Sequence, residues 1–150
     1  MYPSTCGECG GRVSASTDVI PFELRGETVD VAGVQHGRCT ECGEDYLDTA
    51  AMEAVQRAAV AQVRAAHGLL TPDEIRDLRS TLGVSQARLE HFLGTGPKTV
   101  VRWEKGTVFQ SATADRLMRV LLAKPEVADI LARMDTEIAL SRPGRIRTGG

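Results

Sequence analysis

The chain's only four cysteines stand as two pairs, Cys6-Gly7-Glu8-Cys9 and Cys39-Thr40-Glu41-Cys42, separated by residues 10–38. Each C-x-x-C can set two thiolates on one knuckle turn, and the glycines that follow, Gly10 and Gly43, permit the backbone such turns need. Two knuckles brought together make a closed tetrahedral set, suited to one structural zinc per chain on Cys6, Cys9, Cys39 and Cys42. Two disulfides would use the same residues, but a reducing cytosol seldom keeps them. A redox role would call for a thioredoxin-like βαβ pattern, which these pairs lack. His36 lies near Cys39, yet four thiolates already complete the set and the histidine is expected at the surface. A segment of roughly fifty residues with few aromatic side chains buries only a marginal core. Zinc on four thiolates contributes on the order of 10–16 kcal/mol at neutral pH, so the metal is expected to decide whether this half folds.

A second stretch carries chemistry of another kind: Gly94-Thr95-Gly96-Pro97-Lys98-Thr99-Val100-Val101-Arg102-Trp103-Glu104-Lys105-Gly106. Pro97 suits the first position of a short helix. At roughly 100° per residue Val100 and Trp103 share a face that can bury. Lys98, Thr99 and Arg102 then point the other way, with Lys98 and Arg102 one turn apart. A helix with an apolar back and a basic, hydrogen-bonding front fits a DNA major groove. A solvated charged face would look the same in isolation, so the neighbouring segments decide.

Thr71-Pro72-Asp73-Glu74 reads as a capping box opening a helix with Ile75, Leu78 and Leu82 on its apolar stripe and Gly83 at its end. Ser85-Gln86 opens the next, in which Leu89, Phe92 and Leu93 face inward and Gly94 closes. Helix, turn and helix with a basic front on the second member form a helix-turn-helix pattern. These residues, with Arg102-Trp103-Glu104-Lys105-Gly106, resemble a Cro/repressor-type (XRE) domain. Ser111 caps a further helix carrying Leu117, Val120 and Leu121. Pro125 starts a last one, with Val127, Ile130, Leu131, Met134 and Ile138. The last helix offers more apolar residues than one small core needs, which suggests a homodimer contact.

On the N-terminal side, Val19 to Leu24 and Thr28 to Val34 read as a hairpin turning at Arg25-Gly26-Glu27. Asp48 to Gly68 reads as a connecting helix with a narrow stripe of Met52, Val55, Ala59, Val63 and Ala66, and His67 as its end residue. The expected fold is α+β. Residues 1–47 form a small zinc-bound hairpin domain, 48–68 the connecting helix, 69–140 a five-helix repressor-type domain, and 141–150 a flexible basic tail. Residues 1–68 carry 5 Lys+Arg against 10 Asp+Glu, or −5; residues 69–150 carry 13 against 10, or +3, and together they give −2. That asymmetry suggests a protein partner in front and nucleic acid behind. With no membrane-length apolar run and no signal peptide, the expected compartment is the cytoplasm.

The order of parts is similar to that of the MqsA (YgiT-type zinc finger) antitoxins of bacterial type II toxin–antitoxin systems. The resemblance rests on the paired C-x-x-C motifs, the Ile20-Pro21-Phe22…Arg25-Gly26 hairpin and the Arg102–Gly106 end, and covers about residues 4–138. It implies a zinc-stabilised domain that neutralises a ribonuclease toxin, and a dimeric C-terminal domain that represses its own operon at a palindromic operator in double-stranded DNA. In that family an asparagine and an arginine four residues apart read the bases. Arg102 matches the arginine, whereas Lys98 stands where the asparagine would be, and lysine prefers guanine or a phosphate where asparagine prefers adenine. Thr95 and Thr99 join this front, and Gln86 is expected at a phosphate. The alternative is a free-standing transcription regulator with a structural or sensing zinc domain. An enzyme is not expected: no Ser/His/Asp or Cys/His set appears, and a closed thiolate site leaves no open metal position.

Overall fold

The computed structural model describes residues 1–141, and side chains as far as residue 134. Ile138's side chain and the expected tail beyond Ser141 lie outside the described residues. Among the described residues, five short strands precede six helices, giving the α+β order. The chain divides into two compact units, Met1–Thr71 with Lys105–Phe109, and Pro72–Glu104 with the chain from Gln110 onward.

In the first unit, β1 (Val13–Ser16), β4 (His36–Cys39) and β5 (Asp45–Tyr46) make an antiparallel sheet in the order β1-β4-β5. Val13 lies opposite Cys39, and Gly37 opposite Tyr46. This sheet is not anticipated from sequence, because strands as short as Val-Ser-Ala-Ser and Asp-Tyr carry too little alternation to register. Arg38 ties it together: Nε donates to Asp45 Oδ1 at 2.6 Å and Nη2 to the Val19 carbonyl at 2.9 Å.

The hairpin pairs β2 (Ile20–Leu24) with β3 (Glu27–Val31). Its turn is one residue tighter than expected. Arg25 (φ 50°) and Gly26 (φ 81°) are both left-handed, as a two-residue type I′ turn requires, and Glu27 is already in the strand. Helix α1 (Thr49–His67) opens on Asp48, whose Oδ1 accepts the Ala51 N–H at 2.8 Å, and closes on left-handed Gly68. Its buried face is broader than the expected stripe and rotated from it. Ala51, Val55, Ala59, Val60 and Val63 are buried, while Met52 is 46% exposed. Two neighbours explain this. Val55 and Ala59 pack with Ile20 and Val31 of the hairpin, and Val60 and Val63 pack with Phe109. The segment bearing Phe109 is held by α1 as well, Gln56 donating to the Thr107 carbonyl and buried Arg64 to the Val108 carbonyl, each at 3.0 Å.

The second unit holds α2 (Pro72–Leu82), α3 (Gln86–Leu93), α4 (Thr99–Lys105), α5 (Ala112–Ala123) and α6 (Val127–Ser141). Ser85 and Ser111 cap α3 and α5 by accepting the N–H of Arg88 and Ala114, each at 3.1 Å. Left-handed Gly94 ends α3. Ile75, Leu78, Leu89, Val100, Trp103, Met118 and Leu121 are buried. Met118, not Val120, carries the buried face of α5; Val120 stays 45% exposed. Ile130 and Met134 of α6 are likewise exposed, although α6 packs on α3 and α5. Pro97 is not the first residue of α4: it sits in the preceding turn, with Lys98 left-handed at φ 67° and the helix starting at Thr99. Proline followed by a left-handed residue is the pattern of a type II turn.

Candidate metal centre and nucleic-acid interface

The two knuckles are built alike. In each, the glycine after the second cysteine is left-handed, Gly10 at φ 75° and Gly43 at φ 78°. Each donates its N–H back to the carbonyl of the first cysteine, Gly10 to Cys6 at 2.9 Å and Gly43 to Cys39 at 3.1 Å. Cys39 ends β4, opposite Val13, so the sheet delivers one knuckle to the other. The four Sγ atoms lie within 4.8 Å of one another, Cys6 to Cys42 at 3.7 Å and Cys9 to Cys39 at 3.5 Å. These separations are far beyond an S–S bond of about 2.05 Å. They match the edges of a tetrahedron whose centre is about 2.3 Å from each sulfur, the Zn–S distance. Four thiols converging in this way can hold a metal ion of that kind.

Tyr46 on β5 is the residue that sequence reasoning missed. Its hydroxyl donates to Cys6 Sγ at 3.2 Å and accepts the Gly7 N–H at 2.9 Å. The Tyr46 hydroxyl, followed by the Cys9 backbone N–H, lowers the Cys6 thiol to about 6. Cys42 moves the other way: the Glu44 backbone N–H pulls it down, but the Cys9 thiol, burial and the thiols of Cys6 and Cys39 together push it up to about 12. Four thiolates do not share this space without a cation among them. A hydrogen bond to a ligating sulfur is typically worth about 10–100-fold in metal affinity. Tyr46→Phe is therefore expected to weaken metal binding by about tenfold or more in a chelator competition, with the fold kept. An unchanged competition curve would make this contact incidental.

His36 is not the surface residue expected. It is 2% exposed, its Nδ1 is 2.8 Å from the Val34 carbonyl and its Nε2 3.2 Å from Asp45 Oδ1. Alternation along β4 puts it on the face opposite Gly37 and Cys39, the face it shares with Arg38, whose partner on the neighbouring strand is Asp45. His67, at the end of α1 as expected, meets Glu27 at 3.0 Å.

In the second unit α4 is two-sided. Val100 and Trp103 are buried, while Lys98 and Arg102 are exposed. The Lys98 carbonyl accepts the Arg102 N–H at 3.2 Å, and Thr99 Oγ1 donates to the Gly96 carbonyl at 2.7 Å. The position that would hold an asparagine is left-handed, a conformation asparagine adopts readily and lysine only at a cost on the order of 1 kcal/mol. Thr95 Oγ1 is turned to the Glu90 carbonyl at 3.4 Å. Gln86 is placed differently from a free phosphate contact, because its Nε2 donates to Glu104 Oε2.

Two buried glutamates hold α4 in place, and neither is legible as such in the sequence. Glu90 Oε2, from α3, accepts the Val100 N–H at 3.0 Å and so satisfies an amide at the start of α4. Glu104 is 4% exposed; its Oε1 accepts Arg79 Nε at 2.6 Å, and its carbonyl accepts from Arg76. Through Arg79, Gln86 and Glu104 the three helices α2, α3 and α4 share one charged network.

The sequence profile of the family described as "Antitoxin component of bacterial toxin-antitoxin system, MqsA" matches residues 1–132. The antitoxin MqsA of Escherichia coli (strain K12) is 29% identical over 126 residues, 81% of this chain and 95% of its own length. The solved N-terminal domain of the E. coli protein MqsA is similar over 43% of this chain and 96% of its own, at 25% identity and a TM-score of 0.34.

Proposed function

Because this chain belongs to the MqsA family of bacterial antitoxins, we propose that it binds and neutralises a ribonuclease toxin through its first unit and represses its own operon through its second. The observation that carries this reading is the extent of the family match, which takes in the cysteine cluster and α4 together. The metal is zinc, held by Cys6, Cys9, Cys39 and Cys42, and its role is structural. The chain acts by binding rather than by catalysis, in the cytoplasm; no helix among the described residues is long and apolar enough to cross a membrane. On the DNA side, Lys98, Thr99 and Arg102 form the front of the recognition helix, with Thr95 at the turn. Gln86, tied to Glu104, supports that front and reaches phosphate through the second hydrogen of its Nε2. The exposed Val120, Leu122, Ile130 and Met134 pair two chains, so that two α4 helices reach successive major grooves about 34 Å apart.

The experiment has two arms: co-purification of the full chain with the product of the adjoining reading frame, and operator binding at fixed salt. Arg102→Ala is expected to cost about 1–3 kcal/mol on the palindromic promoter site and to relax preference at one base pair per half-site. Retention of both affinity and preference would misplace the recognition helix. Operator binding without any toxin partner would leave a free-standing regulator.

A further inference from the structure

The hairpin is a two-stranded sheet, so each strand has an outer edge, and the two edges differ. On β2, Pro21 has no N–H to offer and the Val19 carbonyl is taken by Arg38. That edge is interrupted at Pro21, so that Glu23, opposite Thr28, is the one β2 residue with both an N–H and a carbonyl facing outward. On β3 the pairing alternates outward from the Arg25-Gly26 turn, where Leu24 and Glu27 face each other. Phe22 and Val29 then exchange hydrogen bonds, whereas Thr28 and Asp30 turn their backbone groups away from β2. Pro21 lies opposite Asp30, where no cross-hairpin N–H is needed, in keeping with that alternation. The Asp30 carbonyl is capped by Gln62 Nε2 at 3.1 Å. The Thr28 N–H and carbonyl and the Asp30 N–H open onto a groove of about 430 Å³ between β3 and α1, floored by Val29, Val63 and Ala66.

We propose that the outer edge of β3 is where the protein partner docks, by adding an extended strand of its own that carries lysine or arginine. This rests on the antitoxin reading and names the surface through which it works. A free edge with outward backbone groups is a template for strand addition, in which main-chain bonds supply affinity and flanking side chains supply choice. The choice here is set by charge. Exposed Glu27 and Asp30 line the groove, and residues 1–68 carry −5. A second copy of this chain would bring the same carboxylates against them, and like charges across a strand pair are destabilising. A basic strand meets neither obstacle.

The test uses the full, metal-loaded chain and the purified protein encoded by the adjoining reading frame, with amide hydrogen exchange followed residue by residue. On mixing, the Thr28 and Asp30 amides are expected to slow by about tenfold or more, while Phe22 and Val29, already paired, change little. Thr28→Pro, which removes an outward N–H and no cross-hairpin bond, is expected to weaken binding by about tenfold, and Asp30→Lys to weaken it as well. Binding that leaves Thr28 exchange unchanged overturns the docking edge and leaves the antitoxin reading standing, as does full binding by a folded Thr28→Pro chain. Slowing of Thr28 with chain concentration alone assigns the edge to a second copy and overturns the proposal. No binding by the parent chain overturns the antitoxin reading and this proposal with it.

Discussion

Stripping the metal from the reduced protein is expected to dissolve the β1–β4–β5 sheet while the five helices of the second unit keep their structure. The cluster around the sulfurs contains Cys6, Val13 and Cys39, with Tyr2 and Tyr46 packed against them. One valine and two partly covered rings supply a few kcal/mol of apolar burial at most, at about 25 cal/mol per Å². Metal binding to four thiolates supplies on the order of 10–16 kcal/mol, so it decides the outcome. The hairpin and α1 have a core of their own in Ile20, Val31, Val55 and Ala59, and are expected to loosen rather than vanish. The measurement is residue-resolved NMR of the chelated protein and of Cys39→Ser, beside elemental analysis of the untreated protein. Amide signals of Val13, Gly37 and Cys39 that survive chelation would refute the metal's structural role; a metal-to-chain ratio near zero after purification under reducing conditions would do the same. Operator affinity of the metal-free chain is expected to remain close to that of the loaded one.

Removal of one buried carboxylate carries the second-largest effect. Glu104→Ala removes the acceptor of Arg79 Nε and Nη2 and of Gln86 Nε2, leaving Arg79 only the Val84 carbonyl at 3.3 Å. Breaking a buried pair from one side typically costs about 3–5 kcal/mol. Arg79 retains 23% exposure and can recover some hydration, so a loss near the lower end, about 3 kcal/mol, is expected in urea unfolding of the full chain. Glu104→Gln keeps the shape and loses the charge, and is expected to lose about half as much. The contrast with Arg102→Ala is diagnostic. That variant should lose operator affinity at unchanged stability, whereas Glu104→Ala should lose stability first and affinity only as the second unit opens. A stability change under about 1 kcal/mol for Glu104→Ala would reduce the network to the value of a surface pair.

The sequence by itself determined the elements whose signals are local. Two C-x-x-C pairs name four thiolates wherever the chain takes them, and serine, aspartate and glycine mark the helix ends by bonds to backbone groups three residues away. Asp48 and Ser85 do so by accepting the amide three residues on, whereas Gly68 and Gly94 donate their own N–H to the carbonyl three residues back. Apolar periodicity located α2 and α3 for the same reason. Only the tertiary structure decided which face of α1 is buried, because that depends on two neighbours from distant parts of the chain, the hairpin and Phe109. It also decided that His36 is interior, since its partner Asp45 arrives by strand pairing. Lys98 became left-handed because the turn before α4 places the helix start at Thr99, a choice that proline's fixed φ alone does not make. The roles of Tyr46, Glu90 and Glu104 are likewise tertiary: each is an ordinary polar residue until a sulfur, an amide or a guanidinium is brought to it from elsewhere. A buried polar group must find such a partner, and the chain's pattern shows that it is polar without showing who will meet it.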